Sequence, residues 1–360
     1  MKKERMIGLD VLKIVCAFLI FGRHAVRSGG CTFSFLSNNI DNLIIGFTVP
    51  VMTAFFIMSG FAIQYAYGRR ELFIQNNLQN YYFKRFLSLF PMYFFVHIVS
   101  SFFYGNEFGV AVRLFPVEIL GLQTWFEGLF NYLHNGGTWF VSCLLIAYFI
   151  YPIVGYIIKS MKIKGRVILL SILVFIRIYS TYIISFFGMV DDYDSVVFRT
   201  LEFMIGVILC SVIQLRKEKI PIWGSIVLTL ISGALLCKLC VNQGKFREGF
   251  SCVFIIIIIY AMSHITEKAT DKSAIMNLVV NVIKYGGSLC YSFYILQCII
   301  WKPFNAICVR FPVFEQNKYR LLLLFGMLMG ASIALHELYE KPVKNYMVKI
   351  FEKYHKKSND

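Results

Sequence analysis

Residues 9–26 read LDVLKIVCAFLIFGRHAV. The stretch is apolar enough to enter a bilayer, yet Asp10, Lys13 and His24 interrupt it or sit at its rim. A charged side chain at the centre of a membrane helix costs about 2.5–3.5 kcal/mol on insertion scales. Helical geometry turns these residues into a pattern. At about 100° per residue, the step from Lys13 to His24 is three turns and about 20°, so the two share a face along roughly 16 Å of rise. Asp10 lies one turn before Lys13 on the same stripe. A face carrying three ionisable groups avoids lipid and looks into a bundle, a cavity or a partner. Snorkelling is the competing account: Asp10 and Lys13 near one end, and His24 near the other, could each reach their own interface.

The rest of the chain identifies the solvent. Of 360 residues, 58% are hydrophobic and 16% charged, with mean hydropathy +0.65. Soluble domains are nearer half apolar and a quarter charged. The apolar runs are long and continuous, which excludes a transmembrane β-barrel of short alternating strands. Apolar segments long enough to span fall at about 8–26, 43–66, 86–104, 139–158, 167–188, 198–215, 222–241, 248–265, 288–308 and 319–337. The sequence therefore predicts an all-α polytopic membrane protein with about ten transmembrane helices. The first is expected to be retained, because Asp10 and Lys13 break the core a cleaved signal would need and no clean cleavage site follows.

Orientation follows from Lys and Arg. With the N-terminus in the cytoplasm, basic residues favour the inner segments about two to one and alternate correctly from loop to loop, as the positive-inside rule expects. Both termini are then cytoplasmic. The net charge of +16 is explained by topology, and no nucleic-acid partner is expected. Residues 1–340 read as one transmembrane domain. Residues 341–360 mix apolar and basic residues at helical spacing and read as an amphipathic tail on the cytoplasmic leaflet. The longest outer loop, about 105–138, holds Trp125, Phe126, Phe130 and Tyr132 and reads as carrying an interfacial helix. The ten cysteines are scattered, mostly in apolar runs, and read as small buried hydrophobes; Cys237 and Cys240 form a lone CxxC with no second pair.

Other polar residues fall inside spans: Ser59 in FFIMSGFAI, Trp139 and Ser142 in GGTWFVSCLL, Arg177, the pair Arg199 and Glu202, and Tyr291, Ser292, Tyr294 and Gln297 in CYSFYILQ. Helix–helix hydrogen bonds or buried ion pairs account for each without any catalytic role, and Arg199–Glu202 reads as structural support. HELYE at 336–340 lacks the second His of a zinc HExxH helix, so no metal is expected.

Taken in order, these segments resemble the acyltransferase-3 family of integral membrane acyltransferases. Lys13 and His24 meet its pattern of a basic residue, ten residues, then His, with Asp10 upstream. FFIMSGFAI, YFKRFLSLFPMYF, TWFVSCLLIAYFIYP, LEFMIG, CYSFYILQ and HELYEKP resemble its later signatures. Ser88 stands where many members carry a second basic residue, and Gln297 where many carry His. The resemblance implies an acyl-CoA-dependent O-acyltransferase of the bacterial cytoplasmic membrane. It would move an acyl group, usually acetyl from acetyl-CoA as co-substrate, to a hydroxyl of a cell-surface or exported carbohydrate. It casts His24, Lys13 and Asp10 as catalytic, with Lys84, Arg85, Ser59, Trp139 and Glu340 binding substrate or CoA. Lys84 and Arg85, with Arg69 and Arg70, form a basic rim suited to CoA phosphates, although positive-inside topology explains that rim equally. The rival reading is a transporter or flippase for a glycan or lipid-linked sugar. Paired broken helices in two related halves would favour it, and the sequence shows none.

Overall fold

The computed structural model describes residues 4–37, 39–104, 108–125, 136–187, 193–216, 220–241, 247–267 and 273–357. Among these the chain is helical, without strands. The helices are α1 (Ile7–Arg27), α2 (Ile40–Gly46), α3 (Thr48–Tyr67), α4 (Gln75–Tyr104), α5 (Phe108–Ile119), α6 (Trp139–Ser160) and α7 (Ile163–Ile178). They continue as α8 (Ser180–Phe187), α9 (Val196–Arg216), α10 (Ile222–Val241), α11 (Arg247–Met262), α12 (Ala274–Arg310), α13 (Asn317–Leu335) and α14 (Lys341–Lys357).

Every expected apolar segment falls on a helix, but ten spans is too many. Among the described residues six helices are long and apolar enough to cross a membrane, or seven if α7 and α8, bent by 61°, form one span. The shortfall has physical causes. The charges of Asp10, Lys13, Arg23 and Arg27 crowd α1. The apolar part of α11, Gly249–Met262, is too short. In α4, Asn76, Asn77, Gln79, Asn80, Lys84 and Arg85 occupy the first turns, and the apolar stretch after them is described in full only over 86–101. The chain remains a multi-pass membrane protein. The expected interfacial loop contains α5 and a short 3-10 turn at Gln123–Trp125, whereas Phe126, Phe130 and Tyr132 lie outside the described residues. The tail is helical through Lys357. It continues α13 through a π-helical turn at His336–Glu340, and Phe351 stacks on Phe83 at 3.9 Å.

The core forms where α3, α6, α9 and α12 converge. Helix α3 is apolar on all sides and largely buried, as a central membrane helix must be. It meets α9 backbone to backbone. A Cβ on Gly60 would sit 1.9 Å from the Phe203 carbonyl oxygen, and one on Gly206 would sit 1.9 Å from that of Ile57. Small residues permit such approach, where dispersion between helices replaces a hydrophobic driving force. Gly206→Val is therefore expected to force the pair apart and cost about 1–3 kcal/mol, the range for overpacking. A lowered thermal midpoint in detergent is the readout; an unchanged midpoint contradicts this packing.

Beside the glycines lies a buried ion cluster. Glu202 accepts hydrogen bonds from Arg177 Nε at 2.7 Å, Arg199 at 2.7 Å and the Thr53 hydroxyl at 2.8 Å, joining α3, α7 and α9. The Arg199 guanidinium lies 5.5–5.7 Å from the ring centroids of Phe56, Trp139 and Tyr193. Arg177 also donates to Ser180 at 2.5 Å, across the break between α7 and α8. This accounts for a lone arginine inside an apolar segment, and the reading of Arg199 and Glu202 as support agrees with it.

Candidate active site

Helix α1 packs along α12, and the pair carries the ionisable stripe. At one end Asp10, buried, accepts from Arg5 Nε at 2.6 Å and from Lys13 Nζ at 3.3 Å. Its carboxylate lies against Gly287 of α12, where a Cβ would come within 2.9 Å of Oδ1. Asp10 is thus a paired anion that neutralises and orients its neighbours.

Lys13 lines a cavity of about 260 Å³ between α1, α3, α4, α6 and α12. Ser59, Arg85, Tyr148, Tyr291 and Tyr294 share its wall. Ser59 and Tyr148 are hydrogen-bonded at 3.0 Å. The Arg85 guanidinium lies 5.5 Å from the Tyr67 ring and 5.6 Å from the Tyr148 ring, geometries that hold a cation over π faces. Its Nε is buried with no hydrogen-bond partner, so the ring contacts leave donor capacity unused. Arg70 sits over the same Tyr67 ring at 5.0 Å. One rim of the cavity is therefore cationic and the opposite wall aromatic, with Phe55 and Phe140 packed on Tyr294.

At the far end of the stripe His24 meets α12. Its Nδ1 is 2.5 Å from Gln297 Oε1, and its ring stands edge-on to Trp301 at 6.4 Å. An amide oxygen only accepts, so Nδ1 carries the hydrogen and the lone pair is at Nε2. The other end of the Gln297 amide, Nε2, is buried and unpartnered. Tyr294, on the cavity wall, precedes Gln297 by one turn of α12. The stripe thus joins two ends: cations around a cavity, and a histidine held in one tautomer.

The remaining candidates lie elsewhere. Lys84 is exposed and does not line the cavity, because a step of one residue turns the helix by about 100°. Trp139 is buried beside Arg199, and its neighbour Phe140 faces the cavity instead. Glu340 is occupied by three donors. Ser292 donates at 2.8 Å, His336 pairs with it at 2.7 Å and Lys344 at 2.5 Å, closing the π turn onto α12. Sequence reasoning missed Gln297 as the His24 partner and Tyr148 as the Arg85 partner. The available signal for the first was a polar Gln297 inside an otherwise apolar segment of α12.

No curated protein and no solved structure matches the chain. A family model described as an acyltransferase domain matches residues 6–336, nearly the whole length and every residue of the stripe. The chain is therefore a member of the acyltransferase-3 family.

Proposed function

We propose that this membrane acyltransferase takes an acyl group, most simply acetyl, from acyl-CoA at the Lys13–Arg85 cavity. It passes the group to a carbohydrate hydroxyl at His24. The observation that carries the reading is the two-ended stripe on α1 and α12, with cations around a cavity at one end and a tautomer-fixed histidine at the other.

The chemistry follows from the parts. CoA is polyanionic at its nucleotide end and thin along its pantetheine arm. Arg70, Arg85 and Lys13 supply the cations for the first, and the aromatic wall suits the second. With its lone pair at Nε2, neutral His24 can take the proton of an attacking hydroxyl as the oxygen bonds to the thioester carbon. The thiolate of CoA then leaves and takes a proton, giving an ester and free CoA. The unpartnered N–H of Gln297 can donate to the oxyanion of the tetrahedral intermediate. An uncharged partner on Nδ1 fixes the ring without pairing an imidazolium, which distinguishes this site from a carboxylate–histidine pair. In this topology the cavity end faces the cytoplasm and the His24 end faces outward, consistent with donor and acceptor arriving from opposite sides.

The test uses purified protein, acetyl-CoA and a panel of oligosaccharides, with ester formation followed by mass spectrometry. Arg85→Gln is expected to raise KM for acetyl-CoA about tenfold, the equivalent of one charge-assisted contact, while KM for the acceptor stays the same. If Arg85→Gln leaves donor KM unchanged, the donor does not bind in this cavity.

A further inference from the structure

Arg23 and Arg27, one turn apart at the His24 end of α1, line a second cavity of about 580 Å³. Its other walls include Asn39 and Asn42, and Thr48 at the start of α3. The volume is in the range of small-molecule sites, roughly 300–1,000 Å³. Its polar groups are amides, a hydroxyl and two guanidiniums, and no carboxylate lines it among the described residues. Several buried or half-buried cations elsewhere are matched, Arg177 and Arg199 with Glu202 and Lys344 with Glu340, whereas Arg85 at the donor cavity is, like Arg23, without a carboxylate partner among the described residues. Arg23 and Arg27 make no ion pair or hydrogen bond among the described residues, and Arg23 Nε is buried without a hydrogen-bond partner.

A buried guanidinium donor without a partner carries a desolvation penalty that a bound anion would relieve. The bland accounts do not remove it. A helix C-terminus favours basic residues, but that favour does not require a cavity lined by Asn39 and Asn42. In the topology proposed above this end faces outward, where the positive-inside bias disfavours arginine. The location is also informative. Arg23 precedes His24 in sequence, and its charge reaches His24, Tyr193, Tyr294 and Cys298.

We infer that this cavity receives the acceptor, and that the acceptor is an anionic carbohydrate, a sugar bearing a carboxylate or a phosphate. Arg23 and Arg27 hold the anion in a bidentate or shared grip, Asn39 and Asn42 hydrogen-bond ring hydroxyls, and a hydroxyl of the same sugar is left beside His24. This rests on reading the chain as an O-acyltransferase that reacts at His24.

Binding separates the inference from the reaction. Protein in phosphatidylcholine nanodiscs is titrated with three probes: a glucuronate-containing oligosaccharide, a glycerol-phosphate-substituted one and a neutral glucose oligosaccharide of equal length. At least one charged probe is expected to bind tenfold or more tightly than the neutral one, and more weakly as salt rises. Whichever charged probe binds identifies the anion as carboxylate or phosphate. Arg27 is exposed and makes no ion pair or hydrogen bond among the described residues, so Arg27→Gln should fold and lose about tenfold, while Arg27→Lys recovers part of the loss. Equal binding of charged and neutral probes overturns the inference, as does charged-probe binding unaffected by Arg27→Gln and Arg23→Gln. Displacement of bound glucuronate by phosphatidylglycerol at trace levels would make the site a lipid headgroup site and also overturn it. Acetyl transfer measured in the same discs keeps the two readings apart. Charged probes that bind but are never acetylated count against the acyltransferase reading alone. Neutral sugars acetylated as well as charged ones, by wild type and both variants, count against the anion site alone.

Discussion

His24→Ala is expected to reduce acyl transfer by about 10²–10⁴-fold, the usual worth of a positioned general base. His24 is the titratable end of a stripe whose other members are already paired, since Asp10 is held by Arg5 and Lys13; Glu340, off the stripe, is likewise occupied by Ser292, His336 and Lys344. Its only side-chain hydrogen-bond partner among the described residues is the Gln297 amide oxygen, which orients the ring and leaves Nε2 available. Truncation removes the proton acceptor without disturbing the pairing of α1 with α12, because Gly287 and the Phe18, Phe21, Phe293 and Phe325 rings hold that seam. The variant should keep its detergent melting midpoint and its affinity for acyl-CoA. Full transfer by a folded His24→Ala protein would remove His24 from the chemistry.

Glu202→Gln is expected to be the most destabilising single change in the core, by about 3–5 kcal/mol. Two guanidiniums, both fully buried, share this one carboxylate. A neutral amide removes the carboxylate that both guanidiniums share, leaving the charge of Arg199 to the Thr53 hydroxyl, the Tyr193 carbonyl and aromatic faces, and taking from Arg177 its bond to Glu202. The cluster also ties α7 to α9 and α3 at the point where α7 breaks into α8. Loss of folded protein on extraction, or a sharply lowered midpoint, is the readout. Partial recovery by the double variant Arg177→Met, Glu202→Gln would show that uncompensated charge is the cause. A Glu202→Gln protein as stable as wild type contradicts the account of this core.

These two expectations mark how far the sequence carried. The pattern along single helices was legible. The shared face of Asp10, Lys13 and His24 follows from rotation per residue, and the apolar segments follow from composition. Family membership followed from ordered motifs. What depended on pairing between helices was not legible. Gln297 is 273 residues from His24, and Glu202 is 149 from Thr53; periodicity along one segment is silent about such partners. Adjacent positions were also beyond reach. Arg85 and Phe140 reach the cavity while Lys84 and Trp139 do not, because helix rotation about its axis is set by packing. Counting spans from apolar length overstated them. The charges that made α1 informative are the same ones that disqualify it as a purely apolar span.

The central claim is that one helix pair links a donor cavity at Lys13 and Arg85 to an acceptor site at His24, across the bilayer. It is tested most directly in sealed proteoliposomes of uniform orientation, with acetyl-CoA confined to the face bearing Arg85 and acidic oligosaccharide confined to the face bearing His24. The account predicts acetyl esters on the oligosaccharide, and their loss in His24→Ala vesicles. Esters formed only when donor and acceptor share one face would contradict it.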